Sequence, residues 1–166
     1  MEKLYIAYGS NMDEEQMRHR CPSARLIGKS VAEDYQLLFK GSKTGAYATI
    51  EPKSGSQVPV LVWIIGEQDE RNLDRYEGYP SFYYKKELEI EVEGRNVLAM
   101  VYVMHEENPF GTPSQRYHSV ILKAYRKFGF DVQIVEQALL GGSASAGGNR
   151  EQLNQKLRME YPAGCR

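Results

Sequence analysis

The chain opens with a run that few folds can use in more than one way: Lys3-Leu4-Tyr5-Ile6-Ala7-Tyr8-Gly9-Ser10-Asn11-Met12. Apolar, aromatic and β-branched residues stop abruptly at Gly-Ser-Asn, and a polar, acidic segment follows. This pattern predicts a buried strand, a tight loop and a helix start. Such a loop exposes backbone N–H groups beside a rigid core. Gly9 permits close approach of a ligand to the backbone, and Ser10 and Asn11 add small polar groups. The same residues also suit a plain strand-to-helix turn with Ser10 or Asn11 as cap.

After this loop, Asp13–Arg20 reads as a short helix, acidic in its first turn and basic in its last, and Cys21-Pro22 ends it. Ala24–Lys29, Glu33–Lys40, Ala46–Glu51 and the nearly all-apolar Val58–Ile65 read as strands. Glu67–Glu77 has helical character and stops at Gly78. Phe82–Val92 and Val97–Met104 form a hairpin around Gly94-Arg95-Asn96. Ser114–Phe128 is a clear amphipathic helix ended by Gly129, and Val132–Leu140 is a further short one.

About six strands with helices between and after them predict an α+β fold, a small mixed β-barrel or strongly twisted sheet flanked by helices. The length fits one domain, expected over 1–140. Residues 141–166 are expected to be a flexible Gly/Ser/Ala linker with a surface helix at Asn149–Met159.

Composition excludes several function classes. With 21 basic against 22 acidic side chains, an electrostatic nucleic-acid surface is not expected. No apolar run reaches the roughly 18 residues of a membrane span, and no signal-peptide pattern is visible. The two cysteines, Cys21 and Cys165, are too far apart in sequence to announce a disulfide framework, so a cytoplasmic setting is expected. Twelve tyrosines fit either a β-rich core or a polar-rimmed pocket. His19, His105 and His118 lack metal-ligand spacing, and Gly9-Ser10 lacks the spacing of a nucleophile elbow. No nucleotide-binding motif is present, so neither a metal nor a cofactor is expected.

One carboxylate stands apart. Leu73, Tyr76 and Glu77 lie at i, i+3 and i+4, on one side of a helix. If Leu73 and Tyr76 face the core, Glu77 stands at its edge, in the last turn, where the helix dipole disfavours a negative charge. Partial burial and the dipole both raise its pKa, as general acid–base work requires. A structural alternative is an ion pair with Lys85 or Lys86.

Three segments in this order resemble the γ-glutamylcyclotransferase family, with its AIG2-like and γ-glutamylamine cyclotransferase branches. They are Tyr8-Gly9-Ser10-Asn11-Met12, Leu73-Asp74-Arg75-Tyr76-Glu77-Gly78 with Tyr84 beyond it, and Pro113-Ser114-Gln115-Arg116-Tyr117. Arg20-Cys21-Pro22-Ser23-Ala24 and Ala48-Thr49-Ile50 are similar as well, and the likeness spans roughly residues 3 to 130. The resemblance implies a small mixed barrel whose cavity floor is the loop after the first strand. It implies that Glu77 is the catalytic acid/base, that Tyr8, Gly9, Ser10 and Asn11 hold the γ-glutamyl part, and that Tyr84 and Tyr117 stand near it. The implied reaction closes a γ-glutamyl amide to 5-oxoproline and frees an amine. The expected partner is a small γ-glutamyl substrate, with the chain acting alone or as a homodimer, without nucleic acid or membrane. Three other readings share these residues: removal of a γ-glutamyl group in a biosynthetic pathway, a non-catalytic domain binding a small acid, and an interaction module using Asn149–Met159. His105–Thr112, Gly41–Gly45 and Pro52–Val58 are expected to line or gate the cavity.

Overall fold

A computed structural model describes residues 1–144 of the chain. Strand β1, Lys3–Ala7, is the axis of the molecule. Its residues Tyr5, Ile6 and Ala7 are buried, because the strand has neighbours on both sides. It runs antiparallel to β3, Tyr47–Ile65, with Ile6 opposite Val62, and parallel to β5, Arg95–Met104, with Ile6 opposite Val101. Each of those strands carries a hairpin partner: β2, Arg25–Lys40, on β3, and β4, Tyr83–Val92, on β5. The sheet order is β2-β3-β1-β5-β4, so two hairpins are joined by one central strand.

The sheet is strongly twisted and has five strands, fewer than the six expected, and it does not close into a barrel. Two pairs of expected strands are continuous. Ala24–Lys29 and Glu33–Lys40 merge into β2, where register shifts at Leu26/Gly28 and Glu33/Tyr35 bend the strand without breaking its pairing. Ala46–Glu51 and Val58–Ile65 merge into β3, where Pro52, Gln57 and Val58 pair with β2 and residues 53–56 between them stand opposite Asp34 as an unpaired bulge, so the expected loop at Ser54-Gly55-Ser56 survives as a bulge within one strand. The outer strands curl toward each other without forming a ladder. A Cβ on Gly28 would stand 3.3 Å from Val92, and Ser30 Oγ donates to the Glu91 carbonyl.

Four helices follow the chain around this sheet. A single 3₁₀ turn, Ser10–Met12, leads into α1, Glu14–Arg20, which Asp13 caps by accepting from the Glu15 N–H. Helix α2, Glu67–Glu77, starts where Asp69 takes the Gly66 N–H at 3.0 Å. Asp69 also accepts from Ser23 and is only 1% exposed, so this carboxylate is a buried cap. The helix ends at Gly78, in the left-handed region at φ 65°, with Tyr79 N–H returning to the Asp74 carbonyl at 2.9 Å. That closure fixes Glu77 as the last helical residue.

Helix α3, Gln115–Phe128, begins at the Ser114 cap and ends at Gly129, as its sequence pattern predicts. Its buried Ile121 and Tyr125 join the core with Ile6, Val62, Leu73 and Val101. Helix α4, Gln133–Ala144, packs on β2 through elements that include buried Val135 and Ala138. It continues through the first residues of the expected linker. The rest of that linker and the expected helix Asn149–Met159 lie outside the described residues. No described helix is long and apolar enough to cross a membrane.

Candidate active site

Strand β1 stops at Ala7, while β3 runs on past it toward Tyr47. On its β1 side, the backbone of β3 at Ala48 therefore has no neighbouring strand, while β2 pairs with it on the other. Two tyrosine hydroxyls complete its hydrogen bonds. Tyr117, on α3, accepts from the Ala48 N–H at 3.0 Å, and Tyr83, on β4, donates to the Ala48 carbonyl at 2.7 Å. Between this edge, the Tyr8–Asn11 loop and the end of α2 lies a cavity of about 240 Å³. That is below the range of pockets for drug-sized ligands and fits a substrate of amino-acid or dipeptide size.

Glu77 lines this cavity. Burial pushes its carboxyl up to about 7, against a smaller opposing pull from the Arg20 guanidinium. The expected lysine partners are engaged elsewhere. Lys85 pairs with Glu70 at 2.9 Å and Asp74 at 2.8 Å, and Lys86 reaches toward the Tyr35 hydroxyl. Among the described residues no ion pair engages Glu77. The Asn11 amide nitrogen points to its Oε1 at 3.5 Å and donates to the Tyr5 hydroxyl at 2.9 Å.

The loop residues line the same cavity. Tyr8 is buried, and its hydroxyl donates to the Tyr102 carbonyl at 2.6 Å, which fixes the loop's entry to β5. Gly9 is closely faced: a Cβ there would stand 3.2 Å from the Tyr117 hydroxyl and 3.4 Å from Ala48 Cβ. Ser10 and Asn11 open the 3₁₀ turn, so their N–H groups precede its first closing bond, from Met12 to the Gly9 carbonyl. Burial also raises the phenols of Tyr5, Tyr8, Tyr83 and Tyr117, which keeps these hydroxyls protonated beside Glu77.

The match to known proteins follows this geometry. The model of the family described as "Gamma-glutamyl cyclotransferase, AIG2-like" matches residues 5–121, a span that contains the loop, Glu77 and Tyr117. The chain belongs to this family. A gamma-glutamylcyclotransferase of Homo sapiens is 32% identical over 146 residues, covering 81% of this chain and 76% of its own length. One from Mus musculus has the same identity and coverage. A solved structure titled gamma-glutamyl cyclotransferase superposes with a TM-score of 0.74 at 26% identity, over 83% of this chain and 86% of its own.

Within this cyclotransferase fold, the expected site residues come together with one exception. Glu77, Tyr8, Gly9, Ser10, Asn11 and Tyr117 share one cavity, and Tyr84 is outside it. Neighbouring residues on a strand point to opposite faces. Tyr83 faces the cavity, while Tyr84 lies on the other face of β4 and donates to the Glu106 carboxylate. None of the expected gating loops contributes a lining residue to the cavity. Phe110 bridges to Lys40 and Thr112 to Thr44, so His105–Thr112 is docked on the end of β2 and the loop after it.

Sequence reasoning missed most of the aromatic wall. Seven of the twelve tyrosines line the cavity, so their abundance marks a polar-rimmed pocket as well as a core. Tyr47 and Tyr76 are 46% and 44% exposed and stand at its mouth with Phe82. Tyr47 meets Tyr117 edge-on at 5.3 Å and Phe82 at 6.3 Å. Arg20 was likewise missed as a neighbour of the site.

Proposed function

We propose that this protein is a γ-glutamylcyclotransferase-type enzyme, closing a γ-glutamyl amino acid or amine to 5-oxoproline with release of the free amine. The observation that carries this reading is Glu77: a carboxyl without an ion-pair partner among the described residues, raised to about 7 and lining a small cavity beside the Tyr8–Asn11 loop. Family membership and the names of the relatives point the same way.

The substrate brings its own nucleophile, the α-amino group. Holding it against the γ-carbonyl makes the attack intramolecular, and effective molarities of well-oriented pairs reach about 10⁵ M or more. Glu77 takes one proton from the α-ammonium. The freed nitrogen attacks the γ-carbonyl carbon, and the C=O electron pair moves to oxygen. Protonated Glu77 gives its proton to the leaving nitrogen as that C–N bond breaks and the carbonyl reforms. The second proton lost by the ring nitrogen ends on the released amine. A pKa near 7 suits a group that must both accept and return a proton near neutrality.

The N–H groups at Gly9 to Asn11 serve the substrate's anionic oxygens, and the buried phenols supply further neutral donors. A domain that only binds a small acid gains nothing from a carboxylate in its cavity, since the two negative charges repel.

The test is a panel of glutathione, γ-glutamyl-alanine and γ-glutamyl-ε-lysine scored for 5-oxoproline, with Glu77→Gln alongside. The reading expects 5-oxoproline from at least one, and its loss in a folded Glu77→Gln protein. Near-normal turnover by that variant would falsify the role of Glu77.

A further inference from the structure

Arg20 is the last residue of α1 and does not line the cavity. Its carbonyl accepts from Asn72 at 2.9 Å, which ties this helix end to α2. Its guanidinium is partly buried and forms no ion pair among the described residues. Instead it donates to Ser10 Oγ at 3.3 Å and to Asn11 Oδ1, and its Cζ lies 3.5 Å from the centre of the Tyr76 ring. Placing a cation away from full hydration without a carboxylate is costly, so the arrangement calls for a reason.

Hydrogen-bond chemistry supplies one. Arginine has donors only, so the atom of Asn11 facing it must be the amide oxygen. The amide nitrogen is then directed at Glu77 Oε1 and the Tyr5 hydroxyl. With the amide turned over, its NH₂ would face the guanidinium donors and its oxygen would face the carboxylate. Both contacts would be repulsive. Tyr76 Oη lies 3.2 Å from Ser10 Oγ, so the guanidinium, Ser10 and Tyr76 close one ring of contacts behind the loop.

We propose that Arg20 is a positioning residue for the cyclisation: acting through Asn11 and Ser10, it sets the donor that Glu77 faces and holds the substrate loop, without touching the substrate. The proposal rests on the reading of Glu77 as the proton carrier. The groups facing Glu77 are the phenols of Tyr5 on β1, Tyr8 on the loop, Tyr83 on β4 and Tyr117 on α3, with Asn11 and Tyr76 beside them. Arg75 on α2 and Tyr102 on β5 line the same cavity, and Arg20 is the cation whose charge opposes the rise of the Glu77 carboxyl.

The experiment compares Arg20→Met and Arg20→Lys with the wild-type protein on whichever panel substrate gives 5-oxoproline, over pH 5.5 to 9. Lysine keeps the charge but cannot reproduce the planar fork that reaches Ser10 and Asn11 while lying on Tyr76. Arg20→Met is expected to lower kcat by roughly 10- to 100-fold, the scale of a small misplacement of reacting groups. It should also move the acid limb of kcat/KM up by about half to one pH unit, because the neighbouring cation is gone. Arg20→Lys should lower kcat as well but leave the acid limb in place. A wild-type kcat, or an unmoved acid limb, in Arg20→Met overturns the proposal. If Arg20→Met does not fold, Arg20→Lys decides: wild-type kcat overturns the proposal, and lowered kcat with a fixed limb supports it. Activity surviving in Glu77→Gln would instead sink the reading beneath it, whatever the Arg20 variants do.

Discussion

The amide nitrogen of Asn11 lies 3.5 Å from Glu77 Oε1 and is the polar group of the loop that meets this carboxyl. One weak neutral donor does little to hold a negative charge, so burial dominates and the carboxyl sits at about 7. General-base action needs the ionised form. The value of kcat/KM is therefore expected to fall about tenfold per pH unit below pH 7 and to level off above it. Steady-state rates from pH 5.5 to 8.5 measure this. A flat profile down to pH 5.5 would mean that some other group takes the proton.

The same burial has a consequence for stability. The Glu77 carboxyl rises from an ordinary 4.5 to about 7 on folding. The folded protein thus keeps a proton that the unfolded chain has released. Its stabilising effect is complete below pH 4.5, declines as pH rises, and is gone above pH 7. Glutamine has no such charge to bury. Glu77→Gln is therefore expected to gain stability over wild type at pH 8, by up to about 3 kcal/mol at 1.4 kcal/mol per pH unit, with most of that gain absent at pH 5. Urea unfolding at the two pH values checks it. A difference that does not depend on pH would show that the carboxyl is not desolvated.

The fold was legible where punctuation is local. Gly78 and Gly129 stop helices in the sequence as they do in the structure, and Ser114 starts one. The Gly-Ser-Asn loop was legible for the same reason. Strand count was not, because the continuity of β2 and β3 depends on pairing between distant residues, such as Tyr35 with Pro52 and Glu33 with Gln57, which carries the ladder past the bulge at 53–56. Spacing to Leu73 singled out Glu77, although Tyr76, expected to face the core beside them, is 44% exposed. Tyr83 and Tyr84 could not be told apart, since alternation says only that they differ in face, and the docking of α2 decides which face holds the cavity. Arg20 read as a dipole-favoured basic residue at a helix end, and nothing local brings it to Asn11.

That alternation gives a clean contrast. Tyr84 bonds Glu106 on the outer face, and Tyr83 bonds the Ala48 carbonyl at the cavity. Tyr84→Phe is expected to keep kcat/KM within about twofold, as for a surface change away from the site. Tyr83→Phe leaves a buried carbonyl without its donor, which costs about 1–3 kcal/mol, and it loosens the wall facing Glu77. Thermal unfolding and 5-oxoproline release separate the two effects. A tenfold loss in Tyr84→Phe would reinstate that residue as part of the site.

The space around Gly9 is tight. An added methyl would press on the Tyr117 hydroxyl at 3.2 Å and on Ala48 at 3.4 Å, at the cavity floor. Gly9→Ala is expected to raise KM by roughly tenfold while costing only about 1 kcal/mol of stability, because the tight contact falls on the substrate's space. Full steady-state kinetics with a denaturation curve test this. Unchanged KM would remove the loop backbone from the binding surface.

The mouth of the cavity offers the last contrast. On the proposed reading, which holds the γ-glutamyl group at the loop and Glu77, the leaving part of the substrate would extend toward Tyr47, Tyr76 and Phe82, which also line the cavity. Tyr47 is 46% exposed yet held edge-on against Tyr117 and Phe82, so it presents a fixed aromatic surface. An apolar side chain on the leaving amino acid would lie against this surface and lose water contact there. Covering most of one such side chain is worth about 1–2 kcal/mol, or roughly 5- to 30-fold in kcat/KM. Tyr47→Ala is therefore expected to lower kcat/KM for γ-glutamyl-phenylalanine by about that factor and to leave γ-glutamyl-alanine nearly unaffected. The ratio of the two substrates is the quantity to measure, since it cancels any general loss of active protein. If the ratio holds while both rates fall, Tyr47 supports Tyr117 and the cavity wall and makes no contact with the leaving group.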